Sequence, residues 1–186
     1  TKVIINLALK NNLRVFDLKK NNINGGSTQY FICKKKSKYK TNYKVINKIL
    51  DEEKKFKLEN KKTFLSFYKE INAIKSKTIK YLDSIILKNK KIHGYGASTK
   101  GNVLLQYFNI NQDYIKFIAD RNPKKHNHYT PGTKIKIISE NKSRKLLPDY
   151  YFVLPWHFKE EILRRENKMR KKGCKFIFPL PNLKVY

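Results

Sequence analysis

The fold is constrained most strongly by the sequence from residue 91 onward, where short apolar runs alternate with helical stretches. Strands are predicted at residues 92–95, 114–119, 134–138, 150–154 and 175–178. Helices are predicted between them at residues 99–108, 140–147 and 158–172. Parallel strands are joined by crossover connections, which are usually helices. The alternation therefore predicts an α/β fold with a Rossmann-like parallel sheet and crossover helices.

The chain before residue 91 has a different pattern. Residues 1–33 predict a helix followed by a short antiparallel strand pair, because Gly25 and Gly26 separate two β-prone runs. Residues 34–43 are predicted to be a linker, and residues 44–90 a helical segment broken at least once. Apolar side chains at three- and four-residue steps predict that one face of the second helix is buried. These side chains are Phe64, Phe67, Tyr68, Ile71, Ile74, Leu82 and Ile85.

The strong positive charge is the second notable property. Lys and Arg total 43 against 14 Asp and Glu, which gives a formal net charge of +29. Clustered basic residues bind nucleic-acid phosphates, but only 6 of the 43 are Arg, the residue best suited to bidentate contacts. Lys, Asn, Ile, Tyr and Phe are all abundant and are encoded by A/T-rich codons, so genome composition explains most of the charge. A nucleic-acid partner is therefore not expected, whereas the field favours anionic ligands such as nucleotides.

Several classes of protein are disfavoured by simple counts. Cys33 and Cys174 lie far apart, which argues against a disulfide-dense scaffold and a Cys-rich zinc site. No apolar run reaches the length of a membrane span, and no secretory signal opens the sequence. We therefore expect a cytoplasmic protein without membrane contact. The sequence begins at Thr1 and its only Met is Met169, which favours a processed or partial chain.

The segment HGYGASTKGN lies between a predicted strand and a predicted helix. Two glycines allow a tight turn, and the amides at the start of a helix bind phosphate. The candidate substrate-binding residues here are Gly94, Tyr95, Gly96, Ser98, Lys100, Gly101 and Asn102. The segment is not a complete dinucleotide fingerprint, because Thr99 stands where the third glycine belongs. The alternative is a Gly-rich turn that binds nothing.

Further candidates follow the second and third strands of this sheet. Asp120 ends the second strand, where an acidic residue can accept hydrogen bonds from a ribose. The loop after it offers Arg121 to phosphate and Thr130 to sugar hydroxyls. Trp156 and His157 follow the third strand, where Trp156 can cover a base and His157 can exchange a proton. The alternative for Trp156 is packing between helix and sheet, and no metal site is predicted.

Four segments, in order, resemble one known family. They are GYGASTKGN, IADRNPKKH with YTPGT, PDYYFVLPWHFKEEI, and GCKFIFPLP, and together they cover about residues 90–181. They resemble the C-terminal domain of SAM-dependent nucleotide-sugar (NDP-hexose) C-methyltransferases, and NGGSTQYFI is a weaker fifth match. Asn24, Asn127 and Lys136 stand where that family usually has His, Gly and Pro.

The resemblance implies a division of labour along a longer polypeptide. Residues 1–33 are then the tail of an upstream SAM-binding domain, 34–90 a linker and helices, and 91–186 a Rossmann-like substrate-binding domain. S-adenosylmethionine is bound mainly by the upstream domain, and zinc is expected only in an N-terminal segment. The family deprotonates a carbon beside a keto group of a nucleotide-linked deoxysugar and methylates the enolate. The catalytic residues are expected upstream of Thr1, so none is assigned here, and the chain alone is expected to be inactive.

Two alternative functions remain open at this stage. The Gly-rich turn together with Asp120 is compatible with a NAD-binding oxidoreductase domain. The charge of +29 is compatible with a non-enzymatic nucleic-acid-binding protein.

Overall fold

A computed structural model describes residues 1–186, apart from the side chain of Asn24. The side chain at the position where the resembled family usually has His therefore lies outside the described part of the chain. The backbone forms two compact units, Thr1–Lys69 and Glu70–Tyr186.

The first unit consists of helices around a two-stranded antiparallel sheet. Its elements are α1 (Lys2–Lys10), β1 (Leu13–Asn21), β2 (Ser27–Lys34), α2 (Tyr43–Lys55) and the beginning of α3 (Lys61–Ile86). Strand β1 pairs with β2 from Leu13 opposite Lys34 to Asn21 opposite Ser27. The turn between them passes through Gly25 and Gly26, whose φ angles of 84° and 124° suit glycine. The predicted strand pair and the predicted break in the helical segment are both confirmed.

A small core holds the first unit together. Helix α1, strand β1 and helix α2 contribute to one buried cluster. Its members are Ala8 from α1, Val15 and Leu18 from β1, and Ile46 and Ile49 from α2. The first turns of α3 do not share in it. Phe64, Phe67 and Tyr68 are exposed, so the expected burial of this helix face is wrong at its N-terminal end. It is right further along, where Leu82 and Ile85 are buried.

The second unit contains the predicted Rossmann-like sheet. Its strands are β3 (Ile92–Tyr95), β4 (Phe117–Asp120), β5 (Lys136–Ser139), β6 (Tyr150–Val153), β7 (Lys175–Phe178) and β8 (Lys184–Val185). They are arranged in the order β5-β4-β3-β6-β7-β8, with the first five parallel and β8 antiparallel to β7. The α/β fold class is therefore confirmed. Strand β8 lies in the tail after the last predicted strand and was not predicted from the sequence.

Helices cover both faces of this sheet. The remaining helices are α4 (Thr99–Phe108), α5 (Glu140–Lys145), α6 (Lys159–Arg165) and α7 (Asn167–Lys171). Helices α3 and α4 pack on one face through Leu82, Leu105 and Phe108. Helices α6 and α7 pack on the other face through Ile162 and Met169. The single helix predicted at residues 158–172 is therefore two helices that meet at Glu166.

The strand order creates one favoured position for a ligand. From β3 the chain moves to β4 and β5 on one side, and then returns to β6 on the other side. In open α/β sheets, ligands bind at the carboxyl ends of the strands near such a reversal. The ends of β3 and β6 therefore define where a site is expected.

Candidate functional site

A cavity of about 360 Å³ lies at this edge of the sheet. Its wall combines the ends of β3 and β4, the beginning of α5, the segment after β6, and one face of α6. The lining residues are Tyr95, Gly96, Ser98, Asp120, Arg121, Asn122, Lys125, Glu140, Pro155, Phe158, Glu161, Ile162 and Arg165. Five residues predicted from the sequence thus line one cavity, namely Tyr95, Gly96, Ser98, Asp120 and Arg121.

The glycines of the Gly-rich turn are explained by packing inside the protein. A Cβ atom on Gly94 would lie 2.7 Å from Ile118 Cγ1, and one on Gly96 would lie 2.7 Å from Pro155 Cγ. A Cβ atom on Gly101 would overlap Leu154 Cβ. Gly96 also has a φ of 78°, which L side chains rarely adopt. Gly94 and Gly101 do not line the cavity, so their contact with a ligand remains a prediction.

Gly101 offers a direct test of this packing. We expect Gly101→Ala to lower the free energy of unfolding by about 1–3 kcal/mol, because the overlap with Leu154 exceeds the gain in helix propensity. The measurement is urea unfolding followed by circular dichroism. Val103→Ala changes an exposed position of the same helix and should stay within about 0.5 kcal/mol of the parent protein. Equal stability of Gly101→Ala and the parent protein would contradict the packing explanation.

Ser98 is the N-cap residue of α4. Its hydroxyl accepts a hydrogen bond from the Gly101 amide at 3.0 Å, and the same residue lines the cavity. Lys100 and Asn102 lie in the first turn of α4 but outside the cavity wall. The side-chain oxygen of Asn102 is buried and has no hydrogen-bond partner within the described part of the chain. The predicted ligand contacts of Lys100 and Asn102 thus remain predictions.

The carboxylate of Asp120 is occupied by the protein itself. Its Oδ2 accepts from the Ala97 amide at 2.7 Å, and its Oδ1 accepts from the Asn122 amide at 2.7 Å. Lys125 Nζ lies 3.3 Å from Oδ2 and donates to the Ala97 carbonyl at 2.8 Å. Asp120 therefore ties the turn after β3 to the loop after β4. This arrangement leaves little capacity for the ribose contact considered above.

Arg121 differs from the other cations of the cavity wall. Lys125 is paired with Asp120, and Arg165 is paired with Glu140 at 2.9 Å. Arg121 makes no hydrogen bond and no ion pair with any residue that the structure describes. It is therefore the cation in this wall whose donors are all available to a ligand.

Thr130 lies inside its own loop rather than in the cavity wall. Its buried hydroxyl is 2.7 Å from that of Thr133 and accepts from the Ile135 amide at 2.9 Å. Asn127 in the same loop has a φ of 65°, which Asn tolerates better than most residues. The Thr130 hydroxyl is thus hydrogen-bonded within its own loop, and the structure gives no support to its expected contact with a sugar.

Trp156 and His157 also lie outside the cavity wall. Trp156 packs against both core clusters of the second unit, which agrees with the packing alternative. His157 Nδ1 is buried without a hydrogen-bond partner among the described residues. Burial, assisted by the positive charge of Lys100, lowers the pKa of His157. Among the residues that follow β6, the aromatic ring in the cavity wall is instead that of Phe158, which is exposed.

A charged network connects Tyr95, Glu140 and Arg165 of the cavity wall to Glu166 and Arg144, which line a different cavity. The Tyr95 hydroxyl lies 2.8 Å from Glu166 Oε1, and it accepts from Arg165 Nε and Nη2 at 3.1 and 2.6 Å. Arg144 binds Glu166 through Nε at 3.0 Å and through Nη2. Burial raises the pKa of Tyr95. Its hydroxyl therefore stays protonated and acts as a fixed hydrogen-bonding group at neutral pH.

Several members of the cavity wall were not among the residues predicted from the sequence. Phe158, Glu161, Ile162 and Arg165 are spaced as one helix face, at i, i+3, i+4 and i+7. Since this face follows β6 at the carboxyl edge, the spacing was the signal that could have found them. Glu140 is placed by the start of α5, directly after β5, and carries no comparable signal.

A buried Ser–His pair in the interior is structural. His93 Nδ1 lies 2.8 Å from Ser143 Oγ, which in turn lies 2.9 Å from the Tyr151 hydroxyl. All three residues are buried, so no substrate reaches this serine. Burial lowers the pKa of His93 to about 4, which keeps the imidazole neutral.

Across the described residues, no three His, Cys, Asp or Glu side chains come together in a group that would hold a metal ion. None of the described helices is both long and apolar enough to cross a membrane.

Comparison with known proteins connects this architecture to a family. Among curated proteins, the C-methyltransferase NovU of Streptomyces niveus is 27% identical over 173 residues. The match covers 93% of this chain and 41% of NovU, so the chain spans about two fifths of that relative. The family described as the C-methyltransferase C-terminal domain matches residues 22–181. Since this match covers most of the chain, including β2 and the five parallel strands with their cavity, the chain belongs to the C-methyltransferase C-terminal domain family.

Proposed function

We propose that this chain is the nucleotide-sugar-binding part of a SAM-dependent C-methyltransferase that acts on a nucleotide-linked keto-deoxysugar. Family membership supports the methyltransferase assignment. The cavity at the carboxyl edge of the sheet supports a binding role for this part. The functional domains at residues 1–33, 34–90 and 91–186 are part of the same proposal, and so is a cytoplasmic location.

The observation that carries the proposal is Arg121 in the cavity wall. Its guanidinium is uncommitted among the described residues, and it lies in one cavity with the hydroxyl of Ser98 and the exposed ring of Phe158. Arg binds phosphate through paired N–H donors, and an aromatic ring packs against a base or a sugar. This combination suits a ligand with a diphosphate and a cyclic group.

We assign methyl transfer itself to a part of the protein upstream of Thr1. S-adenosylmethionine supplies the methyl group there, and the zinc expected for the family would lie further upstream. Asp120, the residue best placed by fold to hold a cofactor ribose, has both oxygens bonded within the protein. We therefore assign no S-adenosylmethionine contact and no catalytic residue to this chain.

The first experiment compares ligands on the 186-residue chain. Isothermal titration with dTDP-glucose and with NAD tests the proposal against the oxidoreductase alternative. We expect dTDP-glucose to bind at least about tenfold more tightly, because the ribose acceptor needed for NAD is occupied. Tighter binding of NAD would overturn the proposed function.

Arg121 gives the corresponding mutational prediction. We expect Arg121→Gln to weaken dTDP-glucose binding about tenfold, which corresponds to the loss of one charge-assisted hydrogen-bonding group. Arg170→Gln removes the same charge from an exposed position beside a different cavity and serves as the control. Equal weakening by both variants would mean that only the net charge matters and would remove Arg121 from the site.

A further inference from the structure

Arg165 is held in the cavity wall by one edge of its guanidinium. Its Nε and Nη2 atoms donate to the Tyr95 hydroxyl at 3.1 and 2.6 Å, and Nη2 also donates to Glu140 Oε1 at 2.9 Å. The guanidinium is planar, so contacts along one edge fix the direction of the other. The remaining nitrogen, Nη1, makes no hydrogen bond to a described residue. Its single ion-pair contact is Glu161 Oε1, at 3.7 Å.

Glu161 is a weak partner for this nitrogen. Its side chain is 51% exposed, and it makes no other ion pair or hydrogen bond with the described residues. An exposed pair at this distance contributes little stability, so the Glu161 side chain leaves Arg165 at low cost. Glu161 and Arg165 lie one turn apart on α6 and line the same cavity.

Resting on the proposed function, we propose that Arg165 is a second phosphate-binding cation beside Arg121, and that Glu161 sets the charge selectivity of the cavity. The ligand's phosphoryl oxygen takes the place of the Glu161 carboxylate at Nη1. Tyr95 and Glu140 are positioning residues, because they hold the guanidinium in place for this exchange.

The carboxylate of Glu161 then distinguishes two related ligands by their charge. A free nucleoside diphosphate carries one more negative charge than a nucleotide-sugar, whose terminal phosphate is esterified. Repulsion from a neighbouring carboxylate grows with the charge of the ligand. Glu161 therefore disfavours the free nucleotide more strongly, which keeps the cavity for the sugar-linked form.

Four variants of the full 186-residue chain test this inference, with dTDP-glucose and dTDP as the probes. We expect Arg165→Lys to weaken both about tenfold, because lysine lacks the fork that contacts Tyr95 and the ligand together. We expect Glu161→Gln to strengthen dTDP-glucose binding about threefold and dTDP binding by more, because a repelling charge is lost.

Matched controls lie on the same helix. Glu160→Gln and Arg164→Lys change the neighbouring residues, both of which line a different cavity. Both affinities of these variants should stay within about twofold of those of the parent chain, because salt screens the interaction of the ligand with charges that do not face it. If Arg165→Lys fails to fold, Glu161→Gln still decides the matter, since it alters an exposed side chain.

The outcomes separate this inference from the proposed function. Unchanged or weaker binding by Glu161→Gln, with dTDP-glucose still bound by the parent chain, overturns the inference alone. Preference of the parent chain for NAD overturns the proposed function. In that case the NAD affinities of the same four variants test the roles of Arg165 and Glu161. Absence of binding to any of the three probes overturns both.

Discussion

Replacing Glu166 with Ala is expected to lower the free energy of unfolding by about 2–4 kcal/mol, because Arg144 and Tyr95 lose a buried acceptor, at about 1–3 kcal/mol each. The side chain of Glu166 is only 2% exposed. It accepts hydrogen bonds from Arg144 Nε at 3.0 Å and from the Tyr95 hydroxyl at 2.8 Å. Its loss therefore takes one of two acidic partners from Arg144, which keeps Glu140 Oε2 at 2.9 Å, and removes an acceptor of the Tyr95 hydroxyl.

Urea unfolding of the apo chain measures this effect. Glu160→Ala is the matched control, because its side chain is 86% exposed on the adjoining helix, and we expect a change within about 0.5 kcal/mol. A loss below about 1 kcal/mol for Glu166→Ala would show that the network contributes little.

The same network predicts how stability responds to acid. Burial by itself raises the pKa of Glu166, but hydrogen bonds from Arg144 and Tyr95 outweigh it, so the pKa lies below its ordinary value of 4.5. A carboxyl whose pKa is lowered by folding stabilises the folded protein at every pH above the ordinary pKa of the group. This stabilisation is lost as the pH falls through the lowered pKa. The stability difference between the parent protein and Glu166→Gln should therefore shrink as the pH is lowered below about 4.5. If the stability difference between the two proteins stayed constant as the pH fell, Glu166 would not have a lowered pKa in the folded state.

Elements with local start and stop signals could be predicted well from the sequence. The predicted bounds of α4 and β7 are those of the structure. Helix α4 begins at the Ser98 cap and ends where Asn109 adopts a left-handed φ of 59°, and both signals lie next to the helix itself. Local chemistry of this kind is visible without knowledge of the fold.

The break at Glu166 could not be predicted in this way. Its surroundings, RRENKMRKK, have the composition of a solvated helix, and nothing local indicates that Glu166 is buried. The burial results from Tyr95 and Arg144, which lie 71 and 22 residues away in sequence. The same limit applies to Gly101, because Leu154 lies far along the chain. The cavity edge was therefore predictable from the strand–helix alternation and the ends of the predicted strands, whereas most of its charge pairing was not.

Replacing Asp120 is the second change with a large expected effect on stability. The result also distinguishes two possible roles of this residue, in loop packing and in ribose binding. Asp120→Ala should lower the free energy of unfolding of the ligand-free chain by about 2–4 kcal/mol, because two amides lose their acceptor and each unpaired group costs about 1–3 kcal/mol. These amides belong to Ala97 and Asn122, on the two loops that meet at the cavity. Asp113→Ala removes an exposed carboxylate nearby in sequence and should be close to neutral.

The oxidoreductase alternative predicts a different result for the same variant. If Asp120 served as a ribose acceptor, its removal would leave the ligand-free chain as stable as the parent and would weaken NAD binding. If Asp120 joins the two loops, stability falls without any ligand, and dTDP-glucose binding falls with it because Arg121 lies on the loosened loop. Urea unfolding of the ligand-free variant, followed by titration with each ligand, distinguishes the two. Unchanged stability with lost NAD affinity would restore the dinucleotide interpretation, because it would mean that both amides find other acceptors and that the carboxylate serves the ligand.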